Sequence, residues 1–492
     1  MKERELLDRL DPEAEAFDSA VTREHYLNRS GQKEELSLEP IFRRHRRLFS
    51  RETVEALAAL RLRDSRLRPI RELAVFGYLE EAARPLTEEL ARRETVDTAT
   101  WDSQQVPCRS LWTLVMNEAD IDRRHELERL RCELTAAQNP IREARWGVLH
   151  ARTRELGYRS YYHLCDRVGG LDLQGLLALM ERFLWDTDKL YHDRLEGYLR
   201  SIGVSPALAE RSDLSYLFRS PQFDAVFDGQ RLLPALKATL RGLGIEPDHL
   251  PNVRLDVEPR PRKSPRAFCA PVRIPDEIWL VISPHGGQDD YRALFHEAGH
   301  AYHFAHVRRE ASFAHRGMGD NSVTEGFAFV LEHLVYNPAW LQEHLGLADP
   351  TEYLALARFH KLYMLRRYAA KLQYECDLHR SDDVRARPKR YSDLLTAALG
   401  VRYAPQDYLF DVDDGFYCAR YVRAWIFEAQ VRCYLESEFG KAWFRSAKAG
   451  RRLRGLWALG QRYPAHQLVR RVGYRGLDPG PLVAELTRAL TD

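Results

Sequence analysis

Apolar residues in roughly the first two hundred positions recur at spacings of three and four with charged residues between them, as in TVEALAALRL and RELAVFGYLEEAARPLTEELARR. This period is typical of amphipathic helices, so residues from about 5 to 198 are predicted to be helical, with almost no strand. The pattern changes over 244–265, where proline is concentrated and helical periodicity breaks. We therefore expect a mostly α-helical protein with a helical N-terminal lobe over 1–250 and a second lobe over 251–492.

Two short runs that favour β-structure follow the proline-rich segment. RAFCAPV covers 266–272 and EIWLVIS covers 277–283, and the short linker between them suits a β-hairpin. The loop SPHGGQDD comes next and leads into a helical pattern, which we expect to start near Tyr291 with Asp289 or Asp290 as its N-terminal cap. A small sheet is therefore predicted directly before this helix.

Composition excludes several classes of function. The chain of 492 residues is 45% hydrophobic, which is too apolar for a disordered protein, and its 74 Lys and Arg nearly cancel its 72 Asp and Glu. Without a global positive field, neither nucleic acid nor an anionic membrane is an expected partner. Seven cysteines without paired spacing indicate reduced thiols. The N-terminal sequence lacks the apolar run of a secretory signal, and no apolar stretch approaches ~20 residues, so we expect a cytoplasmic protein.

The predicted helix after the hairpin contains the motif HEAGH, with His296, Glu297 and His300. Histidines four positions apart share one helix face, so two imidazole nitrogens can converge on one metal ion while Glu297 reaches water beside it. Zinc suits such nitrogen and carboxylate ligands. Gly299 costs about 1 kcal/mol relative to alanine inside a helix. A close approach of backbone or substrate would explain its presence, and the alternative is a glycine without a role.

A catalytic zinc site needs a third protein ligand. His306 stands at the distance found in metzincins, but an unbroken helix would carry it about 9 Å along the axis and off the ligand face. Glu325 is the better candidate, because the loop over 311–321 can bring a second helix, over 323–335, antiparallel to the first. Glu332 shares the face of Glu325 and either accepts a hydrogen bond from a ligand histidine or is an ordinary surface glutamate.

Three other histidines lie near the motif. His303 lies on nearly the same helical stripe as His296, but with three tetrahedral positions already filled it is expected to line the site or lie in the core. His315 and His285 lie in predicted loops, where a surface position is expected and a contact with substrate is the alternative.

The arrangement of these motifs resembles a known peptidase family. HEAGH, followed 25 residues after His300 by Glu325 within SVTEGFAF, is similar to the gluzincin metallopeptidases of the M3 family, the thimet oligopeptidase and oligopeptidase F type. The upstream RAFCAPVRIPDEIWLVIS resembles the strand that precedes the zinc helix in that family. Downstream, GFYCARYVRAWIFEAQ is similar to the tyrosine-rich segment of oligopeptidase F. The motifs cover roughly 266–335 and 411–428.

This resemblance implies a two-lobed helical fold with a deep channel and a small β-sheet beside the zinc helix, and hydrolysis of short peptides that enter the channel. By matched position, His296, His300 and Glu325 would bind Zn²⁺ and Glu297 would be the general base. The free edge of the predicted hairpin would hold the substrate as an added strand. The oligomeric state is left open.

In the segment FYCARY, Tyr417 and Tyr421 match positions from which the family's phenols stabilise an oxyanion. Asp411 stands where a histidine normally precedes this segment by five residues, so one transition-state donor of the family is missing. This departure motivates an alternative, a catalytically silent protein that binds zinc or peptide. The intact Glu297 argues against it, because a structural zinc site has no use for a base.

Two arginines beside these tyrosines leave a further alternative open. Arg420 and Arg423 can grip a C-terminal carboxylate in a bidentate manner, which would make the enzyme a carboxypeptidase or a dipeptidyl carboxypeptidase. The competing interpretation is that they form structural ion pairs with Asp413, Asp414 or Glu428.

Overall fold

The structure is a computed structural model that describes residues 3–61, 63–381 and 383–491. Helices account for 69% of the chain and strands for 5%, which confirms the predicted mostly α-helical class. No helix within the described residues has both the length and the apolar composition needed to cross a membrane.

The α-helices, in chain order, are α1 Glu3–Arg29, α2 Glu39–Arg44, α3 Arg51–Ala59, α4 Leu67–Val96, α5 Cys108–Asn117, α6 Ile121–Glu155, α7 Tyr161–Gly169, α8 Leu173–Ser201, α9 Arg211–Arg219, α10 Gly229–Gly242, α11 Gln288–Ala305, α12 Phe313–Arg316, α13 Asn321–Glu332, α14 Pro338–Leu345, α15 Thr351–Arg380, α16 Pro388–Leu399, α17 Tyr417–Phe439, α18 Ala447–Trp457, α19 Ala465–Leu468 and α20 Gly480–Thr491. The strands are β1 Thr98–Trp101, β2 Gln104–Pro107, β3 Val253–Asp256, β4 Phe268–Arg273 and β5 Glu277–Val281. Short 3₁₀ segments occur at Pro221–Phe223, Pro247–His249, His333–Tyr336, Pro405–Tyr408, Asp414–Phe416, Trp443–Arg445 and Val469–Val472.

The described chain divides into two compact units. The first unit comprises Met1–Val75, Pro221–Leu354 and Arg420–Glu485. The second unit comprises Phe76–Ser220, Ala355–Ala419 and Leu486–Asp492. Each unit is assembled from three separate stretches, whereas the lobes expected over 1–250 and 251–492 are contiguous; the outermost residues of those lobes, Met1, Lys2 and Asp492, lie outside the described residues.

The predicted hairpin is present in the first unit as β4 and β5, which pair antiparallel. The sequence missed β3, which lies in the proline-rich segment and pairs in parallel with β5, so the strand order is β3-β5-β4. β3 is only four residues long, and the alternation of apolar and polar residues in VRLD is too short to predict a strand. Burial does not follow that alternation either, because Leu255 is exposed and Asp256 is buried.

Helix α1 packs on this sheet and fixes its position. The ring of Tyr26 stacks on Trp279 of β5 with centroids 4.5 Å apart. Buried Phe268 and Val281 complete this small apolar cluster. Helix α1 therefore covers part of this sheet, and β4 also contacts the helix that follows β5, through the backbone amide of Cys269.

A second hairpin corrects the prediction that 5–198 would hold almost no strand. In the second unit, β1 and β2 pair antiparallel across a two-residue turn at Asp102 and Ser103. Both turn residues have positive φ, 47° and 64°, as a type I′ hairpin turn requires. The sequence does not predict this hairpin for two reasons. Serine is uncommon at a turn position with positive φ, and strands of four residues are too short to show a pattern distinct from the helical one.

Candidate metal centre

Helix α11 carries the HEAGH motif and begins directly after Gly287, whose φ of 85° lies in the region that glycine tolerates. Asp289 and Asp290 lie in the first turn, where negative charge stabilises the positive end of the helix. The prediction that one of them is the N-terminal cap is wrong. The carboxylate of Asp290 instead accepts hydrogen bonds from the backbone amides of His285 and Gly286 over 2.7 and 2.9 Å, which ties the preceding loop to the helix.

Helices α11 and α13 approach each other closely at Gly299. A Cβ atom at this position would lie 2.4 Å from the Cα of Ala328, so the contact requires glycine. The glycine inside the helix is thus explained by the approach of a second backbone. His296 contacts the end of α13 and His300 contacts its beginning, so the two helices run antiparallel, as predicted.

This packing brings together the three residues selected as metal ligands. The Nε2 atoms of His296 and His300 lie 3.2 and 3.5 Å from Oε2 of Glu325. All three atoms lie within 4.8 Å of one another. The side chain of Glu325 is 6% exposed and those of the histidines are 16% and 13% exposed, so the cluster is shielded but reachable. Its donor set can hold a metal ion.

The distal nitrogen of each histidine has a partner on α13. Nδ1 of His296 lies 2.9 Å from Oε2 of Glu332, which confirms the hydrogen bond expected for that glutamate. Nδ1 of His300 lies 2.8 Å from Oγ1 of Thr324. Arg292 in turn donates to Oε1 of Glu332 over 3.4 Å. When Nδ1 donates to these acceptors, Nε2 keeps its lone pair for a ligand of the cluster.

The electrostatics of the cluster favour positive charge. Burial lowers the pKa of His296, but hydrogen bonds with Glu325 and Glu332 outweigh burial and raise the pKa well above its usual range. Burial raises the pKa of Glu325, but the charge of His300 and the hydrogen bonds from both histidines outweigh it and lower the pKa. A proton or a metal ion is therefore stabilised among these side chains.

Glu297 lies between α11 and the edge of the sheet. Its Oε2 accepts a hydrogen bond from the backbone amide of Cys269 in β4 over 2.8 Å. Cys269 is opposite Leu280 of β5, and successive amides of a strand point in alternate directions, so this amide points away from β5. The outer edge of β4 therefore holds the carboxylate in place.

Of the two candidate tyrosines, Tyr421 lies in the first unit with the cluster. Its ring centroid is 6.0 Å from that of Phe329, and Phe329 lies 5.0 Å from His296. Tyr421 thus extends an aromatic layer that begins at a candidate ligand. Tyr417 is the first residue of α17, one turn before Tyr421, and is part of the second unit.

Two more histidines, His303 in α11 and His306 directly after it, do not belong to the cluster. His303 is fully buried, and its ring packs 5.0 Å from that of Phe327. Burial, with the nearby charge of His300, lowers the pKa of His303 to about 3, so the expected core role holds. His306 follows the last residue of the helix, and its Nδ1 donates to the carbonyl of Tyr302 over 2.7 Å.

The two histidines predicted to lie in loops have local partners. The prediction is wrong for His315, which lies in the short helix α12 and is half-buried. Nε2 of His315 lies 2.8 Å from Oγ of Ser65, and its Nδ1 lies 3.1 Å from Oγ of Ser312. His285 is exposed, and its backbone amide binds Asp290. Neither belongs to the metal cluster.

Arg420 and Arg423 are buried and form ion pairs within the first unit. Arg420 pairs with Glu72, and Nη2 of Arg423 donates to Oδ2 of Asp320 over 3.0 Å. Asp320 also caps α13, because its side chain accepts a hydrogen bond from the backbone amide of Ser322. These partners differ from those expected, which were Asp413, Asp414 or Glu428. The arginines therefore stabilise the start of the helix that carries the candidate ligand.

Asp411 lies in a buried ionic network of the second unit. It pairs with Arg367, lies 3.6 Å from Nζ of Lys371, and accepts a hydrogen bond from the hydroxyl of Tyr391 over 2.9 Å. Burial raises the pKa of Asp411, but the charges of Arg367 and Lys371 outweigh burial and lower it. Asp411 is therefore an anion that accepts hydrogen bonds and cannot donate one.

Three further groups of acidic, cysteine and histidine side chains in the described part of the chain are close enough to hold a metal. They are Glu128 with Cys132 and Asp407, His333 with Glu428 and Glu485, and Glu375 with Asp413 and Cys418. Each already contains a buried cation, which is Arg131, Arg432 or Lys371 respectively. Each of these cations pairs with an acid of its group, whereas Glu325 is paired with the two histidines, which distinguishes the three groups from the cluster at Glu325.

Three residues that position the ligand side chains or their helix were not identified from the sequence, and these are Thr324, Asp320 and Arg292. Thr324 was detectable, because it is a polar residue directly before Glu325 in the predicted second helix. Asp320 was detectable as a cap, because it precedes the apolar pattern of α13. Arg292, one turn before His296, was detectable from helical spacing. No protein-family model matches the chain, and no curated protein matches it.

Proposed function

We propose that the protein is a zinc-dependent metallopeptidase that hydrolyses short oligopeptides. The observation that carries the proposal is the convergence of His296, His300 and Glu325 at one point, with Glu297 beside the first histidine. The resemblance to thimet oligopeptidase and oligopeptidase F supports the same function.

Zinc fits this donor set. Two ligands about 2.05 Å from one ion at the tetrahedral angle are about 3.3 Å apart. The separations of 3.2 and 3.5 Å between Oε2 of Glu325 and the two Nε2 atoms match this edge length. Three protein ligands leave one position for water or substrate, as in catalytic zinc sites.

When bound, zinc acts as a Lewis acid that polarises a carbonyl oxygen and makes water more acidic. Glu297 accepts the proton of the attacking water and returns it to the leaving amine, which is the work of a general base and acid. Its hydrogen bond from Cys269 leaves Oε1 available for that exchange and limits rotation of the carboxylate. Glu332 and Thr324 hold the two imidazoles in the tautomer that the site requires.

A phenol is the proposed donor to the developing oxyanion, with Tyr421 and Tyr417 as candidates. Loss of such a donor typically costs on the order of 3 kcal/mol of transition-state stabilisation. Asp411 cannot replace the histidine of the family, because its carboxylate is an acceptor in an ionic network. The tyrosines therefore carry this role alone among the residues matched to the family.

Short peptides are the proposed substrates. Family members enclose a deep channel between two lobes, which admits oligopeptides and excludes folded proteins. The outer edge of β4 offers backbone groups on the side that holds Glu297, so an extended peptide can bind there as an added strand. Backbone pairing gives affinity with little side-chain selectivity.

Two alternatives are less well supported. A carboxypeptidase or dipeptidyl carboxypeptidase would need Arg420 and Arg423 to bind the terminal carboxylate, and both are buried and paired with acids. A catalytically silent zinc or peptide-binding protein is motivated by Asp411. It leaves Glu297, beside the cluster, without a role.

The test combines metal analysis with peptide cleavage. The purified full chain should contain one zinc per molecule and should cleave quenched fluorescent peptides until a chelator is added. Mass spectrometry of the products should show internal cleavage. Trimming at the C-terminus would favour a carboxypeptidase, and bound zinc without turnover on a broad peptide library would favour the silent alternative.

Two variants separate the base from the ligands. Glu297→Gln should abolish turnover and keep the zinc, whereas Glu310→Gln, at an exposed position after the helix, should change neither. Glu325→Ala should reduce zinc occupancy, and His306→Ala should not. Full occupancy of Glu325→Ala would overturn the ligand assignment.

A further inference from the structure

The second unit contains a cavity of about 570 Å³ that the proposed peptidase chemistry does not use. It lies among the start of α7, the first half of α8 and the end of α15. This volume falls in the range of pockets that bind small molecules. The charges on its wall indicate which class of molecule fits.

Two arginines and one acid, Glu181, line the cavity, so the charged side chains of its wall sum to a positive charge. Arg159 and Arg380 both line it and are exposed to solvent. The guanidinium carbon of Arg380 lies 4.2 Å from the ring centroid of Tyr162, so the phenol ring supports this side chain. Burial lowers the pKa of His163, and the charges of Arg159 and Arg380 lower it further against the opposing charge of Asp166, so both arginines are close enough to act on this imidazole.

His163 adds a directed donor to this wall. Oγ of Ser160 accepts a hydrogen bond from the backbone amide of His163 over 3.4 Å and lies 2.9 Å from its Nδ1. The hydroxyl proton can therefore be donated to Nδ1, which leaves the imidazole proton on Nε2. The cavity then offers two guanidinium forks and one N–H.

The remaining wall is less basic. Leu177 and Ala178 of α8 provide an apolar surface, and Glu181 provides a carboxylate acceptor. A ligand that satisfies all of these groups has an anionic end, an apolar part and a hydroxyl or amine donor.

We propose that this cavity binds a small phosphate monoester. Its phosphoryl group would lie between Arg159 and Arg380 with His163 as the third donor, and a hydroxyl or amine of its organic part would donate to Glu181. A phosphoryl group has three terminal oxygens and two charges, which two guanidiniums and an N–H can satisfy. A single carboxylate has only two oxygens and would leave donors unused.

Titration calorimetry of the full chain with AMP, glucose 6-phosphate and inorganic phosphate tests the proposal. We expect saturable binding of at least one ester, no binding of adenosine or glucose, and weaker binding of inorganic phosphate. Inorganic phosphate bound as tightly as both esters would overturn the ester assignment. Absence of saturable binding by all three probes would overturn the site.

Substitutions locate the binding. Arg159→Gln and Arg380→Gln should each weaken the better ester about tenfold or more, because each removes a charge-assisted hydrogen-bond donor. Arg380→Lys should show a smaller loss, since it keeps the charge without the fork. Arg182→Gln is the matched control, because Arg182 is an exposed arginine of α8 paired with Asp186. Unchanged affinity in a double Arg159→Gln, Arg380→Gln variant with a wild-type melting temperature would contradict the proposal.

Discussion

Gly299 of α11 and Ala328 of α13 form the contact that sets the distance between the two helices of the candidate metal centre. A Cβ on the glycine would lie 2.4 Å from the alanine Cα and 2.8 Å from the carbonyl oxygen of Phe327. Backbone atoms cannot move aside as a flexible side chain can. The distances from Glu325 to His296 and His300 therefore depend on the absence of a side chain at 299.

Gly299→Ala should destabilise the protein and weaken metal binding together. The added methyl must push α13 away, and overpacking of this kind typically costs 1–3 kcal/mol. Apparent zinc affinity, measured by competition with a chelator, should fall about tenfold or more because the ligand atoms separate.

The control for this variant is Gly197→Ala. Gly197 is an exposed helical residue of α8, and a Cβ there meets nothing within 4 Å. Alanine should stabilise the helix by about 0.4–1 kcal/mol and leave zinc affinity unchanged. Wild-type zinc affinity in Gly299→Ala would show that the helix spacing does not set the site.

Local periodicity predicted the ligand cluster because helix geometry alone places His296 and His300 one turn apart. The same rule placed Glu325 and Glu332 on one face of α13, and the structure brings both glutamates to the histidines. The hairpin β4–β5 was equally accessible, since its apolar runs and linker are local features.

Contacts between distant segments could not be predicted in this way. The pairing of Arg420 with Glu72 joins residues 348 positions apart, and the amide of Cys269 reaches Glu297 across two elements. Their geometry depends on how α11, β4 and α17 pack, and no periodicity encodes that packing. The same holds for β3, whose parallel pairing with β5 depends on the tertiary fold.

The hydrogen bond from His300 to Thr324 should contribute to metal affinity. Thr324→Val keeps the shape and removes the acceptor, so Nδ1 loses its partner and the imidazole becomes a weaker ligand. Mutations of such supporting residues typically cost 10–100-fold in metal affinity. Thr324→Ser retains the hydroxyl and should remain close to wild type in the same chelator competition. Equal affinity in the valine and serine variants would contradict the role of the hydroxyl.

Asp411→His, which introduces the histidine found at the matched position of the peptidases that this sequence resembles, should destabilise the second unit and should not raise peptidase activity. The carboxylate of Asp411 pairs with buried Arg367 and lies near buried Lys371. An imidazole at this position removes that carboxylate from Arg367 and leaves Lys371 with Asp413 as its nearest acid. Breaking a buried ion pair on one side typically costs 3–5 kcal/mol.

Urea denaturation should show this loss of unfolding free energy in both Asp411→His and Asp411→Asn. Asp193→Asn, which breaks an exposed pair with Lys189, is the control and should change stability by less than about 0.5 kcal/mol. A stable and more active Asp411→His would show that the position belongs to the catalytic site.

Glu375 should make the stability of the protein decrease as the pH rises from about 5 to 8. Burial and the charge of Asp413 outweigh the opposing charge of Lys371 and raise the pKa of Glu375 from 4.5 to about 8. Between these two values the folded state holds a proton that the unfolded state has released. Each pH unit therefore removes up to about 1.4 kcal/mol of stability, and the loss is complete above the folded-state pKa.

Glu375→Gln isolates this contribution, because the glutamine side chain stays neutral at every pH. In the structure the backbone N–H of Asp413 donates to Oε1 of Glu375 over 2.9 Å, and the glutamine oxygen can accept the same hydrogen bond. The difference in unfolding free energy between Glu375→Gln and wild type should grow in favour of the variant between pH 5 and 8 and then level off. Urea titrations at four pH values measure it, with Glu196→Gln, which is 52% exposed, as the control. Parallel stability curves for Glu375→Gln and wild type would show that the carboxyl ionises normally, since other titrating groups are common to both proteins and cancel in the difference.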